Sequence, residues 1–126
     1  MNLNQVTLAV SDFDASVAFY KRLGLALIVH APSKPYARFE CPDGQSTLSL
    51  HGGDVPASTI SLYFEVDDLA KRYEELESAG ITFETQPTEQ SWLWTEAWFK
   101  DPDGHSLCLY HAGEARKNPP WRLTDP

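Results

Sequence analysis

The sequence predicts an α+β fold built from two βαβββ modules with mixed sheets, and three observations predict it. Short segments alternate apolar and polar residues with the two-residue period of a strand. Two other segments carry apolar residues at helical spacing, each between an aspartate cap and a glycine stop. Strand, cap, helix, terminal glycine and Pro-Asp-Gly turn then recur in the same order. Val66 follows Val10 and Gly80 follows Gly24 by 56 positions, while the turns at Cys41–Gly44 and Asp101–Gly104 lie 60 apart. A repeat of this length in a 126-residue chain means two copies of one unit, the second with a short insertion.

Gln5–Val10 sets Val6, Leu8 and Val10 against Gln5, Thr7 and Ala9, the pattern of a half-buried strand. Ser11 or Asp12 caps the next helix, with Phe13, Val17, Tyr20 and Leu23 on its buried stripe and Gly24 as its stop. Strands follow at Leu25–His30, Tyr36–Glu40 and Thr47–His51, and Gly52–Ser58 has the composition of a linker. The second module opens with the strand Ser61–Val66. Asp67 or Asp68 then caps a helix with Leu69, Tyr73 and Leu76 inside and Gly80 at its end. A hairpin over Ser91–Tyr110, turning at Asp101–Gly104, closes the module. One domain over 1–126 is expected, with module one at about 3–52, module two at about 59–112 and an extension 113–126. In that extension Pro119 and Pro120 forbid a helix and Trp121 is the expected anchor.

The closing hairpin carries the chemistry. The two-residue period puts Trp92, Trp94, Glu96 and Trp98 on one face of its first strand and Leu93, Thr95, Ala97 and Phe99 on the other. A carboxylate among indole rings is an odd core, because it needs a partner or a raised pKa. Apolarity assigns Val6, Leu8, Leu48, Leu50, Leu62, Phe64, Leu107 and Leu109 to the helix side of the sheets. The opposite side is left with Gln5, Thr7, Tyr36, Arg38, Ser49, His51, Ser61, Tyr63, Glu65, Cys108 and Tyr110 beside the Trp/Glu row. That face is too polar for a dry core, and two such faces enclose a cavity. The aromatic row also fits a sheet with bulky residues on both sides, or a dimer interface.

A formal charge of −8, from 18 acidic and 10 basic residues, argues against nucleic acid and an anionic membrane surface as partners. It suits a cationic small molecule. Two distant cysteines, Cys41 and Cys108, in a chain without signal-peptide features give no disulfide framework, and the cytoplasm is the expected location. No apolar run approaches the ~18 residues of a membrane span.

On QVTLAVSDFDASVAFYKRLGL and FKDPDGHSLCLY, the chain resembles the vicinal-oxygen-chelate superfamily: glyoxalases, bleomycin-resistance proteins, fosfomycin-modifying enzymes and extradiol dioxygenases. The resemblance covers essentially 3–112. It implies a U-shaped, half-open barrel around a site, and homodimers whose paired chains often complete each site. In metal-dependent members a His, sometimes Gln, begins the first strand of each module and a Glu follows the Pro-Asp-Gly turn. Those positions hold Gln5, Ser49, Ser61 and Cys108 here, so the usual ligand set is missing.

The first functional expectation is therefore a metal-independent binder similar to bleomycin-resistance proteins. It would hold an aromatic, cationic compound between Trp92, Trp94, Trp98 and Tyr63, with Glu65 and Glu96 facing the charge. Arg38 on the same face would pair with a glutamate, or bind a carboxylate or zwitterion instead. The second is a glyoxalase-like lyase or isomerase with Glu96 as general base, helped by Arg38 or Tyr63 at the enolate oxygen, or by a divalent ion on Gln5, His51 and Glu96. For that metal set Glu96 is expected across the hairpin from Cys108, while Cys108 itself is a weak nucleophile candidate. His30, His105 and His111 read as surface residues. The third is a structural dimer without a ligand.

Overall fold

The computed structural model describes residues 1–57 and 60–123. The end of the expected linker, the start of the second module at 59 and the last three residues of the extension lie outside them. In chain order the elements are β1 (Gln5–Val10), α1 (Phe13–Leu23), β2 (Ala26–Ala31), β3 (Tyr36–Glu40), β4 (Thr47–Gly52), β5 (Ser61–Glu65), α2 (Leu69–Ser78), β6 (Thr88–Glu89), β7 (Thr95–Lys100) and β8 (Ser106–His111). A 3-10 turn at Gly113–Arg116 follows. The strands form two four-stranded sheets, ordered β1-β4-β3-β2 and β5-β8-β7-β6. β1 pairs with β4 and β5 with β8 in parallel, and every other pairing is antiparallel. These are the two predicted mixed-sheet βαβββ modules.

By compactness the chain divides into Met1–Thr59 with Asp101–His105, and Ile60–Lys100 with Ser106–Pro126. In the first unit, Asp12 caps α1 by accepting the Ala15 N–H at 3.1 Å, and Gly24 at φ 105° ends it. α1 buries Val17, Phe19, Tyr20 and Leu23 with Leu8, Phe39, Leu48 and Leu50 from the sheet. Gly52 N–H donates to the Pro35 carbonyl at 3.1 Å. The strand edge approaches Pro35 so closely that a β-carbon at position 52 would lie 2.4 Å from Pro35 Cγ.

The Asp101–His105 segment, the connection between β7 and β8, is knitted into this unit by buried polar groups. Tyr20, fully buried, donates its hydroxyl to Asp101 Oδ2 at 2.7 Å. Asp101 Oδ1 accepts the N–H groups of Asp103 at 3.0 Å and His105 at 2.9 Å. Ser11 donates its N–H and hydroxyl to Asp103. His105, expected at the surface, is buried instead, because its Nε2 donates to the Ala9 carbonyl at 3.0 Å.

In the second unit, Asp68 caps α2 through the Lys71 N–H at 3.2 Å, and Leu69 and Leu76 are its buried positions. Ala97, Phe99, Leu107 and Leu109 of the sheet are buried, as the helix-side assignment requires. The strand expected from Ser91 begins only at Thr95. Gln90–Leu93 is a turn between β6 and β7, closed by Leu93 N–H to the Gln90 carbonyl at 3.0 Å and Gln90 N–H to the Trp94 carbonyl at 2.7 Å. Leu93 therefore lies at φ 72°, a left-handed conformation that side chains with a β-carbon rarely adopt. Among the described residues no helix is long and apolar enough to cross a membrane.

Candidate functional site

The polar face of the second unit is assembled by strand register. Glu65, Tyr110 and Glu96 lie side by side across β5, β8 and β7, and Tyr63, Cys108 and Trp98 form the adjacent row. Glu96 thus faces Tyr110, and the expected opposition to Cys108 is corrected by two residues. The five-residue connection between β7 and β8, closed by Asp101 N–H to the His105 carbonyl, pairs Lys100 with Ser106 and so brings Glu96 opposite Tyr110.

Glu96 is 4% exposed, yet no cationic side chain lies within ion-pair distance of it among the described residues. Two indoles hold its carboxylate. Trp92 Nε1 donates to Oε2 at 2.8 Å and Trp98 Nε1 to Oε1 at 3.0 Å. An indole is a donor only, so both bonds suit an ionised carboxylate. Trp92 reaches Glu96 because the left-handed Leu93 folds the turn back, not because Trp92 continues the strand row. Trp94 stacks on Tyr110, with ring centroids 4.6 Å apart and planes 17° apart. Tyr63 stands edge-on to Trp94, Trp98 and Tyr110 at 5.9, 5.4 and 5.7 Å. Tyr63 and Trp92 remain 48% and 45% exposed, so the cluster presents an open aromatic surface with a carboxylate at its base.

Burial first, and then the Glu96 charge, push the Cys108 thiol up to about 12. A thiol held protonated at neutral pH is neither a nucleophile nor a metal ligand. Burial also raises the Tyr63 and Tyr110 phenols. Glu65, expected to face ligand charge, is occupied: its Oε2 accepts the Ala112 and Gly113 N–H groups at 2.8 and 2.9 Å, and Arg116 Nε lies 3.7 Å from Oε1. It caps the turn after β8. Ser61 is exposed, opposite Ser106 at the far end of the sheet.

In the first unit Tyr36, Arg38 and Ser49 converge, with His51 paired beside Tyr36. Gln5 Oε1 accepts the Thr47 hydroxyl at 2.9 Å. His51 is paired with Ala9, four positions along β1 from Gln5, a separation of about 13 Å at the rise of a strand. One cation therefore cannot take both Gln5 and His51, and the rearranged metal set is not assembled. Nor do the positions that match the family's ligands suit a divalent ion, because an amide already bonded, two hydroxyls and a protonated thiol are poor donors for one. Among the described residues no three His, Cys, Asp or Glu side chains are grouped to hold a metal.

A cleft of about 640 Å³ in the first unit is lined by Ser11, Gly53–Ala57 and Asp103–His105. None of the residues singled out from the sequence as ligand contacts line it, and its Asp103 and His105 side chains are already committed to Ser11 and Ala9.

The family model described as Glyoxalase/Bleomycin resistance protein/Dioxygenase superfamily matches residues 2–109. A bleomycin resistance protein of Klebsiella pneumoniae is 33% identical over 78% of this chain and 82% of its own length. Glutathione transferase FosA of Serratia marcescens is 36% identical over 86% of this chain and 79% of its own. Among solved structures, a bleomycin-binding protein complexed with bleomycin superposes with a TM-score of 0.69 at 30% identity, covering 88% of this chain and 98% of that one.

Proposed function

Since the chain belongs to the glyoxalase/bleomycin resistance protein/dioxygenase superfamily, we propose that it binds a flat, cationic aromatic molecule on the aromatic face of its second module, without the family's metal. The observation that carries this reading is Glu96, a buried carboxylate held by two neutral indole donors and left without a counter-cation among the described residues. A buried charge in this setting is stabilised by an incoming cation. Around it the rings of Tyr63, Trp92, Trp94 and Trp98 offer faces and edges to a planar ligand, with buried Tyr110 backing Trp94, and a cation over such a ring gains about 0.5–2 kcal/mol. The likeness to a bleomycin resistance protein and to a bleomycin-binding protein supports a small-molecule ligand. Glu96 as a general base is the weaker reading, since both of its oxygens are already engaged by indole N–H groups.

The test is tryptophan fluorescence titrated with proflavine, a planar cation, with bleomycin and with anthracene as a neutral planar control. Saturable quenching by the cations is expected, weakened at least about tenfold, or 1.4 kcal/mol, in Glu96→Gln. Absence of saturable quenching by either cation, or an affinity unchanged in Glu96→Gln, would refute the proposal.

A further inference from the structure

On the face of the first unit's sheet opposite its buried Ala37, Phe39, Leu48 and Leu50 stands an arginine that forms no ion pair among the described residues. Arg38 lies on β3 between Ser49 of β4 and Val29 of β2. Its Nε and Nη2 donate to the Tyr36 hydroxyl at 3.0 and 2.8 Å, and that hydroxyl shares a 2.8 Å hydrogen bond with the fully buried Ser49 Oγ. A guanidinium has five N–H donors. Tyr36 takes the Nε–H and one Nη2–H, so Nη1 and the second Nη2–H have no hydrogen-bond partner among the described residues. Glu40, two positions along β3 on the same face, is exposed and forms no ion pair with Arg38, and His51 is the other titratable group on that face, beside Tyr36.

We propose that this arginine is a binding site of the first unit for a small-molecule carboxylate. Three features argue for that class. The free end of the fork matches two coplanar oxygens 
bidentately. Tyr36 and Ser49 fix the guanidinium in place, so little side-chain freedom is lost on binding. One unopposed positive charge suits a monoanion, whereas a phosphate dianion would meet a chain of net charge −8 with no second cation at the site.

The same geometry supplies a built-in reporter. The bond to Ser49, and then the bonds and charge of Arg38, lower the Tyr36 phenol against an opposing effect of burial. The phenols of Tyr20, Tyr63, Tyr73 and Tyr110 are all raised. Tyr36 is therefore the first of the five tyrosines to ionise as pH rises, and an anion on Arg38 moves its ionisation to higher pH.

The experiment titrates nitrogen-15-labelled protein with sodium benzoate, observing the Arg38 Nε–H signal, with sodium chloride at matched ionic strength as control. A saturable shift with Kd on the order of 1 mM is expected. The earliest step in tyrosinate absorbance should rise in pH with benzoate and vanish in Tyr36→Phe. Arg38→Lys, which keeps the charge but loses the fork, should weaken binding at least about tenfold. A shift no larger than chloride gives, or an earliest tyrosinate step indifferent to benzoate, would overturn the site. Tighter binding of inorganic phosphate than of benzoate would overturn the carboxylate assignment.

Discussion

Replacing Tyr20 by Phe deletes one oxygen and leaves the ring in place, which isolates the bond between α1 and the Asp101–His105 segment. The hydroxyl is fully buried and donates to Asp101 Oδ2 at 2.7 Å. Asp101 is 5% exposed and its other oxygen is already used by two backbone N–H groups, so solvent cannot replace the lost donor. A hydrogen bond to a charged acceptor contributes about 1.5–3 kcal/mol, and about 2 kcal/mol is the expected cost. An unfolding entropy of about 2.1 cal/mol/K per residue amounts to about 265 cal/mol/K over 126 residues, which converts that cost to a Tm lower by about 7–8 °C.

Alkaline pH gives a second signature of the same bond. Burial first, and then the charge of Asp101, raise the Tyr20 phenol far above its ordinary value of 10.0. In the unfolded chain this phenol ionises near pH 10, whereas in the folded unit it keeps its proton. The unfolded state then binds fewer protons, so the contribution is fully present below about pH 10 and is lost above it at about 1.4 kcal/mol per pH unit. Tyr20→Phe should abolish that part of the alkaline loss. Thermal unfolding followed by circular dichroism at neutral pH and on either side of pH 10 measures both effects. A variant melting within about 2 °C of the parent, with an unchanged alkaline slope, would show that the hydroxyl does not hold Asp101.

With its thiol pushed up to about 12, Cys108 should resist a thiol reagent at neutral pH in the native protein and react once urea unfolds it, with half-buried Cys41 labelled first; prompt native labelling of Cys108 would contradict its burial. The left-handed Leu93 predicts an order of stability in which Leu93→Asn exceeds Leu93→Val by about 1 kcal/mol, read from urea midpoints, because asparagine tolerates positive φ and a β-branched residue does not. Gly52→Ala drives a methyl against Pro35 and should cost about 1–3 kcal/mol in the same assay, and a neutral result would mean that the Pro35 loop moves aside easily.

Local signals carried most of the fold. Asp12, Gly24 and Asp68 act within a turn of the helices they bound, so their spacing alone located α1 and α2. The alternation in Gln5–Val10 predicted that strand with its bounds, and Tyr36–Glu40 was delimited by the Pro35 loop before it and the Cys41–Gly44 turn after it. The hairpin misled where pattern and backbone part company: Trp-Leu-Trp alternates like a strand, but a turn with one left-handed residue also alternates its side chains, and the two-residue β6 is too short to show in a sequence. The partners of Glu65 and His105 were hidden for another reason. Both are held by backbone groups, at Ala112 and Gly113 in one case and at Ala9 in the other, and backbone amides and carbonyls leave no mark on residue identity. The placement of Tyr63, Trp94, Trp98 and Tyr110 on one face was legible because the two-residue period of a strand assigns faces without needing the register. The grip of Trp92 on Glu96 was not, because it depends on the φ of Leu93.

The way Asp101 reaches Tyr20 bears on the order in which the chain can be finished as it leaves the ribosome. β1 has no strand partner until Thr47–Gly52 has been made, since it pairs with β4 alone. The first unit then still lacks the segment that receives the Tyr20 hydroxyl, which is synthesised 81 positions later. A nascent chain ending before residue 101 therefore carries a sheet and helix with a buried phenol unanswered. That hydroxyl meets its acceptor only after β5, α2, β6 and β7 have been made.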